Sequence, residues 1–195
     1  MMILSAAFSD IDFYMSTLTL EKPIGLASDE IKSEPLKVCF VCTGNTCRSP
    51  MAEAVLSDMG SARRLISSGA DSNMQRREII AASAGLSAVP GMPISQNAAE
   101  ALRCAGIKPV PGKDYREHLA VQISTSDMLI NDLIVGITSR HAVALMSAYP
   151  QFASKIVAMD EDIPDPFGGD LDDYKACLDK IYACIERMFF GNDRF

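Results

Sequence analysis

Lys37-Val-Cys-Phe-Val-Cys42-Thr-Gly-Asn-Thr-Cys-Arg48-Ser-Pro50-Met-Ala-Glu-Ala-Val-Leu56 is the stretch from which the fold can be read. Its first six residues form a short apolar, β-rich run that stops at Thr43-Gly44-Asn45, and the residues from Pro50 onward are good helix formers. The order is strand, tight loop, helix. Working outward, the same alternation recurs. A strand is expected near 80–85, a helix near 95–105, a strand in Asp132–Thr138, a helix near 140–148 and a strand in Lys155–Met159. A final amphipathic helix is expected over about 171–189. Strands alternating with helices predict an α/β fold, a mostly parallel sheet covered on both faces, with ligands at the carboxyl ends of its strands. The loop after Cys42 lies at such an end.

The 195 residues suit one domain that buries a core without metals or disulfides. A net charge of -7 offers no basic footprint for nucleic acid. No run approaches the ~18 uninterrupted apolar residues of a membrane span. The first 20 residues are fairly apolar, but they lack a basic start and are interrupted by Asp10 and Asp12, a poor match to a secretory signal. The expected location is therefore cytoplasmic, where the six cysteines (39, 42, 47, 104, 177 and 184) have no need of bridges and most are buried small hydrophobes. Residues 1–35 end in the charged, proline-containing run Ser28–Pro35 and read as an N-terminal extension of unknown role preceding a domain over 36–195. Residues 67–78 are polar and read as a surface excursion.

Chemistry concentrates in Cys42-Thr43-Gly44-Asn45-Thr46-Cys47-Arg48-Ser49. Five residues between Cys42 and Arg48 are enough to wrap a nest of backbone N–H groups around a tetrahedral anion. Gly44 and Asn45 are the types that tolerate the positive φ such a nest needs. Arg48 adds a planar two-pronged donor, and the helix starting near Pro50 aims its positive dipole end at the same point. The field that holds phosphate also favours a thiolate at Cys42, and Ser49 offers the sulfur a further hydrogen bond. The loop from Thr43 to Ser49 is thus expected to bind phosphate and Cys42 to attack it, with no metal or cofactor. A bare cysteine six positions before an arginine arises often by chance as a strand residue and a surface charge. The full octapeptide between a strand and a helix does not.

Val41-Cys-Thr-Gly-Asn-Thr-Cys-Arg-Ser-Pro-Met-Ala-Glu-Ala54 resembles the signature of the low-molecular-weight protein tyrosine phosphatases, over roughly residues 37–190. The resemblance implies a flavodoxin-like three-layer sandwich with a four-stranded parallel sheet, a phosphatase domain over 36–195, and phosphorylated proteins as substrates. Residues 1–35 inherit nothing from it. A thiolate expels a poor leaving group only if an acid protonates it, and the same group then activates water. Asp165-Pro166-Phe167-Gly168-Gly169 resembles the family's late Asp-Pro motif, although its residues also make an ordinary turn. Asp160, Glu161, Asp162, Asp170, Asp172 and Asp173 crowd the same region, and composition does not choose among them; the family pattern selects Asp165. His118 resembles a histidine that in some members braces the loop through Asn45, but His118 and His141 are read as plain polar or packing residues outside the catalytic set. Cys47 resembles the partner with which some members form a reversible disulfide to the nucleophile.

Thr46 places a hydroxyl where tyrosine-directed relatives commonly carry an apolar residue. Thr-Gly-Asn-Thr and Asp-Pro-Phe-Gly-Gly together resemble the bacterial protein arginine phosphatases, which implies phosphoarginine on proteins as the substrate, with phosphotyrosine as the alternative. A thioredoxin-coupled arsenate reductase would need two further cysteines after the third strand, and residues 134–150 contain none. A redox sensor or a phosphoprotein-binding module would not need Asp165.

Overall fold

The computed structural model describes residues 34–67 and 78–191. The expected N-terminal extension and the polar excursion therefore fall outside the described residues, apart from their flanks. Strand β1, Leu36–Cys42, is followed by a five-residue loop, 43–47, and helix α1, Arg48–Ser67. Then come β2 (Ile79–Gly85), α2 (Gln96–Cys104), α3 (Thr125–Ile130), β3 (Leu133–Gly136), α4 (Ser139–Ala148), β4 (Ile156–Ala158) and α5 (Leu171–Phe190). The four strands run parallel in the order β2-β1-β3-β4.

β1 is central because it is apolar on both sides. Val38, Phe40 and Cys42 face one core, while Cys39 and Val41 face the other. The first core packs α1, α2 and α5 against the sheet through Met51, Leu56, Leu102, Ile181 and Ile185; the second packs α3 and α4 through Met128, Ala142 and Leu145. Each fully buried aliphatic side chain contributes roughly 1.5–3 kcal/mol. The result is a three-layer α/β sandwich with its connections on the two faces, so the carboxyl ends of all strands share one edge. Among the described residues, no helix is long and apolar enough to cross a membrane.

Helix starts follow side-chain caps: Ser95 for α2, Thr138 for α4, and Asp170 with Asp173 in a reciprocal box for α5. Two features differ most from the sequence expectation. Helix α1 begins at Arg48, two residues before Pro50, so arginine and serine stand in its first turn; that turn carries no acidic residue, which leaves its positive end uncompensated. Helix α3 was not expected, since six residues are too few to show a period.

Candidate active site

The loop after β1 is held from outside by its carbonyls. Leu86 N–H donates to Cys42 O at 2.9 Å, Ser87 N–H to Thr43 O at 2.8 Å, Ser95 N–H to Thr46 O at 2.8 Å, and His118 Nε2–H to Asn45 O at 2.8 Å. In a trans peptide the N–H points opposite to the C=O, so these anchors turn the N–H groups of Gly44, Thr46 and Cys47 away from the scaffold. Asn45 takes the left-handed conformation, φ 56, while Gly44 does not. Of the two residues expected to supply positive φ, asparagine alone does so, and its side chain explains why. Asn45 Nδ2 donates to Ser49 Oγ at 2.9 Å and Ser83 Oγ at 3.0 Å, and Oδ1 accepts from Val121 N–H at 2.8 Å. Fully buried, it ties the loop to β1's neighbours.

At the centre, the Cys42 sulfur lies 3.0 Å from Ser49 Oγ and accepts from Asn45 N–H at 3.3 Å. Both contacts favour negative charge on sulfur. Burial pushes Cys39, Cys177 and Cys184 up to about 12, in Cys184 with Asp160 adding to the rise and despite the Arg187 Nη2 donor at 3.3 Å, which keeps them protonated and unreactive. Cys47, 5% exposed, points away towards Ser95 Oγ and the Tyr174 hydroxyl, each 3.4 Å from its sulfur. Burial and the Cys47 contact push the Tyr174 phenol up to about 12. Thr46 is half-buried, its Oγ1 3.6 Å from Cys47 Sγ.

Arg48 is buried and brings the distant carboxylate to the loop. Its Nη2 donates to Asp165 Oδ2 at 2.6 Å and its Nη1 to Ile163 O at 3.3 Å, while Nε has no protein partner. Asp165 is half exposed and its Oδ1 accepts from Phe167 N–H at 3.2 Å. The neighbouring carboxylates are engaged elsewhere. Asp160 pairs with Arg187, Glu161 with Lys180 and Asp172 with Lys175; Asp162 caps Ser139; Asp170 and Asp173 form the box that starts α5. The arrangement can hold a tetrahedral anion between a sulfur nucleophile and a carboxyl proton donor.

Two histidines read as bystanders sit against this loop. Beyond His118 on Asn45, His141 Nε2 lies 3.0 Å from Thr43 Oγ1 and Nδ1 2.9 Å from Thr138 Oγ1. No local pattern ties His141 to this loop, because Thr43 is 98 residues away. Gly85 was also missed: a Cβ there would lie 2.7 Å from Thr43 O and 3.0 Å from Asn45 N. Its signal was a glycine at the end of a buried strand.

Residues 37–191 match the family described as "Low molecular weight phosphotyrosine protein phosphatase". The chain is 30% identical over 161 residues to a protein-arginine-phosphatase of Geobacillus stearothermophilus, covering 79% of this chain and 94% of the relative. It is 31% identical over 163 residues to the low molecular weight protein-tyrosine-phosphatase PtpB of Staphylococcus epidermidis, covering 81% of this chain and 100% of the relative. The crystal structure of a low molecular weight protein tyrosine phosphatase from T. tengcongensis superposes with a TM-score of 0.66 at 32% identity, over 78% of this chain and 96% of that one.

Proposed function

This chain belongs to the low molecular weight phosphotyrosine protein phosphatase family, and on that premise we propose that it hydrolyses phosphoarginine on proteins, with Cys42 as nucleophile, Arg48 as phosphate ligand and Asp165 as general acid. The observation that carries the assignment is the 2.6 Å contact between Arg48 Nη2 and Asp165 Oδ2, made across 117 residues of chain. It puts a carboxyl group beside the guanidinium of the anion loop.

The Cys42 thiolate attacks phosphorus, the P–N bond breaks, and the Asp165 carboxyl proton goes to the departing guanidine nitrogen. Cysteinyl phosphate and a free arginine side chain result. Asp165, now a carboxylate, takes a proton from water as its oxygen attacks phosphorus, and the S–P bond breaks to release inorganic phosphate and restore the thiolate. Backbone N–H groups of the loop and the Arg48 fork hold the equatorial oxygens throughout, where negative charge spreads in the transition state. Arg48 must exchange Asp165 for phosphate as the site fills.

The choice of phosphoarginine is supported by the Thr46 hydroxyl and by the similarity to a protein-arginine-phosphatase. The phosphotyrosine reading is favoured by Phe167, whose ring is 80% exposed beside Asp165 and could face a phenyl group, and by the PtpB relative. Turnover of phosphoarginine and phosphotyrosine peptides by the wild type, Cys42→Ser and Thr46→Ile decides between them. Cys42→Ser is expected to be inactive on both. Thr46→Ile is expected to shift the preference towards phosphotyrosine by about tenfold or more. Residual full activity in Cys42→Ser would end the mechanism, whereas a strong wild-type preference for phosphotyrosine that Thr46→Ile leaves unchanged would end only the arginine assignment.

We likewise propose a reversible disulfide between Cys42 and Cys47. Peroxide would convert the Cys42 thiolate to a sulfenic acid, and the Cys47 thiol would leave Ser95 and Tyr174 to condense with it, releasing water. After excess peroxide, dithiothreitol should restore activity in the wild type and not in Cys47→Ala, where a second peroxide takes the unprotected sulfenic acid on to the irreversible sulfinic acid.

A further inference from the structure

His141 touches none of the reacting groups assigned above, yet it is 7% exposed and both its ring nitrogens are engaged. Hydrogen-bond accounting points to one tautomer. As the cap of α4, Thr138 Oγ1 accepts the backbone N–H of His141 at 3.3 Å. Among the described contacts, the single hydrogen of that hydroxyl has its acceptor in Nδ1, 2.9 Å away. A neutral ring that accepts at Nδ1 carries its proton on Nε2 and donates it to Thr43 Oγ1 at 3.0 Å. The hydroxyl hydrogen of Thr43 is then uncommitted, on an exposed side chain next to Cys42.

We propose that His141 is a positioning residue of the phosphatase reaction: as the Nε2–H tautomer it holds Thr43 so that the threonine hydroxyl donates to an oxygen of the bound phosphoryl group. This rests on the reading of Thr43–Ser49 as the phosphate site. Neutrality is what the position demands. An imidazolium would put a second N–H on Thr138 Oγ1, strand that hydroxyl's hydrogen, and add positive charge near Arg48. Burial and Arg48 together hold the imidazole below its ordinary pKa, with Arg140 adding to the depression and Asp165 and Asp162 opposing it. These are the charged groups facing it from the phosphate loop, the acid loop and its own helix. The same turn of α4 also holds the acid loop, since Ser139 N–H and Oγ–H donate to Asp162 Oδ1 at 2.6 and 2.9 Å. One helix start therefore holds the loop of the nucleophile and the loop of the acid.

A double-mutant cycle tests this. The quantities are kcat and KM for para-nitrophenyl phosphate and the inhibition constant of inorganic phosphate, measured for wild type, Thr43→Val, His141→Leu and the double variant. Each single change is expected to weaken phosphate binding and kcat/KM by about tenfold, and the double variant to be no worse than the worse single one within about twofold. His141→Gln, whose amide N–H can replace Nε2–H, should recover much of the loss. Additive losses, or a Thr43→Val variant indistinguishable from wild type, would overturn the proposal; Thr43 is exposed, so that arm does not depend on His141→Leu folding. Nitrogen-15 NMR supplies the second readout. The imidazole of His141 should show a bare Nδ1 and a protonated Nε2 near neutral pH, in wild type and in Cys42→Ser alike, and the opposite tautomer sinks the idea. Activity surviving in Cys42→Ser would instead refute the phosphate-site reading while leaving the tautomer measurable.

Discussion

Ser49 has one hydroxyl hydrogen and two acceptors for it, the Cys42 sulfur at 3.0 Å and the Ala84 carbonyl at 3.2 Å. When sulfur is ionised the hydrogen goes to it; when sulfur is protonated, S–H donates to Ser49 Oγ and the hydroxyl hydrogen returns to Ala84. Ser49→Ala removes this exchange, and alkylation of Cys42 by iodoacetamide near neutral pH is expected to slow by about tenfold. An unchanged rate would mean that the hydroxyl does not support the thiolate. Asp165→Asn should lower kcat by about 10²–10⁴-fold for phosphoarginine and less for para-nitrophenyl phosphate, whose leaving group needs little protonation. Equal losses on both would argue against an acid role. His141 titrates below its ordinary value of 6.5 in the folded chain, from burial first and Arg48 second. The unfolded chain therefore takes up its proton first as pH falls. Stability that is present above pH 6.5 is lost as pH drops through the folded value. Urea midpoints between about pH 8 and about pH 5 should fall further for wild type than for His141→Gln. Cys42 and Arg48 were readable because six positions of chain force them into one loop. His141 was not, because a bond made across 98 residues leaves no local trace.

Among the elements, the join of β2 to the loop is the least forgiving. Gly85 pairs with Cys42 in the parallel ladder, and the loop's main chain passes so close that a methyl group would meet Thr43 O at 2.7 Å and Asn45 N and the Ala88 Cβ at 3.0 Å. Gly85→Ala is expected to cost about 1–3 kcal/mol in urea denaturation and to weaken inhibition by phosphate as well, since the atoms displaced belong to the anion loop. Loss of stability with an unaltered inhibition constant would show that the loop absorbs the methyl group elsewhere. Strand and helix order was legible from periodicity, and the structure follows it with ends shifted by a residue or two. Helix α3 is the exception. Its sign was the capping pair Ser124 and Asp127, each side chain accepting the other's backbone N–H, rather than any repeat of apolar residues.

The described residues form a sheet between two cores, and the larger core, with α5 running along it, supports the site from behind. Ile181 is fully buried in that core and is none of the residues proposed for catalysis. Ile181→Ala should cost about 2–5 kcal/mol in urea denaturation, with the activity per folded molecule retained; a fall in kcat of the folded fraction would reveal coupling between core and loop. By itself the sequence determined the α/β order and the loop that gathers Cys42, Arg48 and Ser49, because these depend on side-chain period and on residues close enough along the chain to be forced together. Composition left Asp165 level with Asp160, Glu161, Asp162, Asp170, Asp172 and Asp173, from which only the motif resemblance separated it; the tertiary structure supplies the physical difference, engaging those carboxylates elsewhere and setting Asp165 beside Arg48. It likewise set the partners of His118 and His141 and the need for glycine at 85. Each of these is a contact between segments far apart in sequence, made once the sheet brings the carboxyl ends of its strands to one edge.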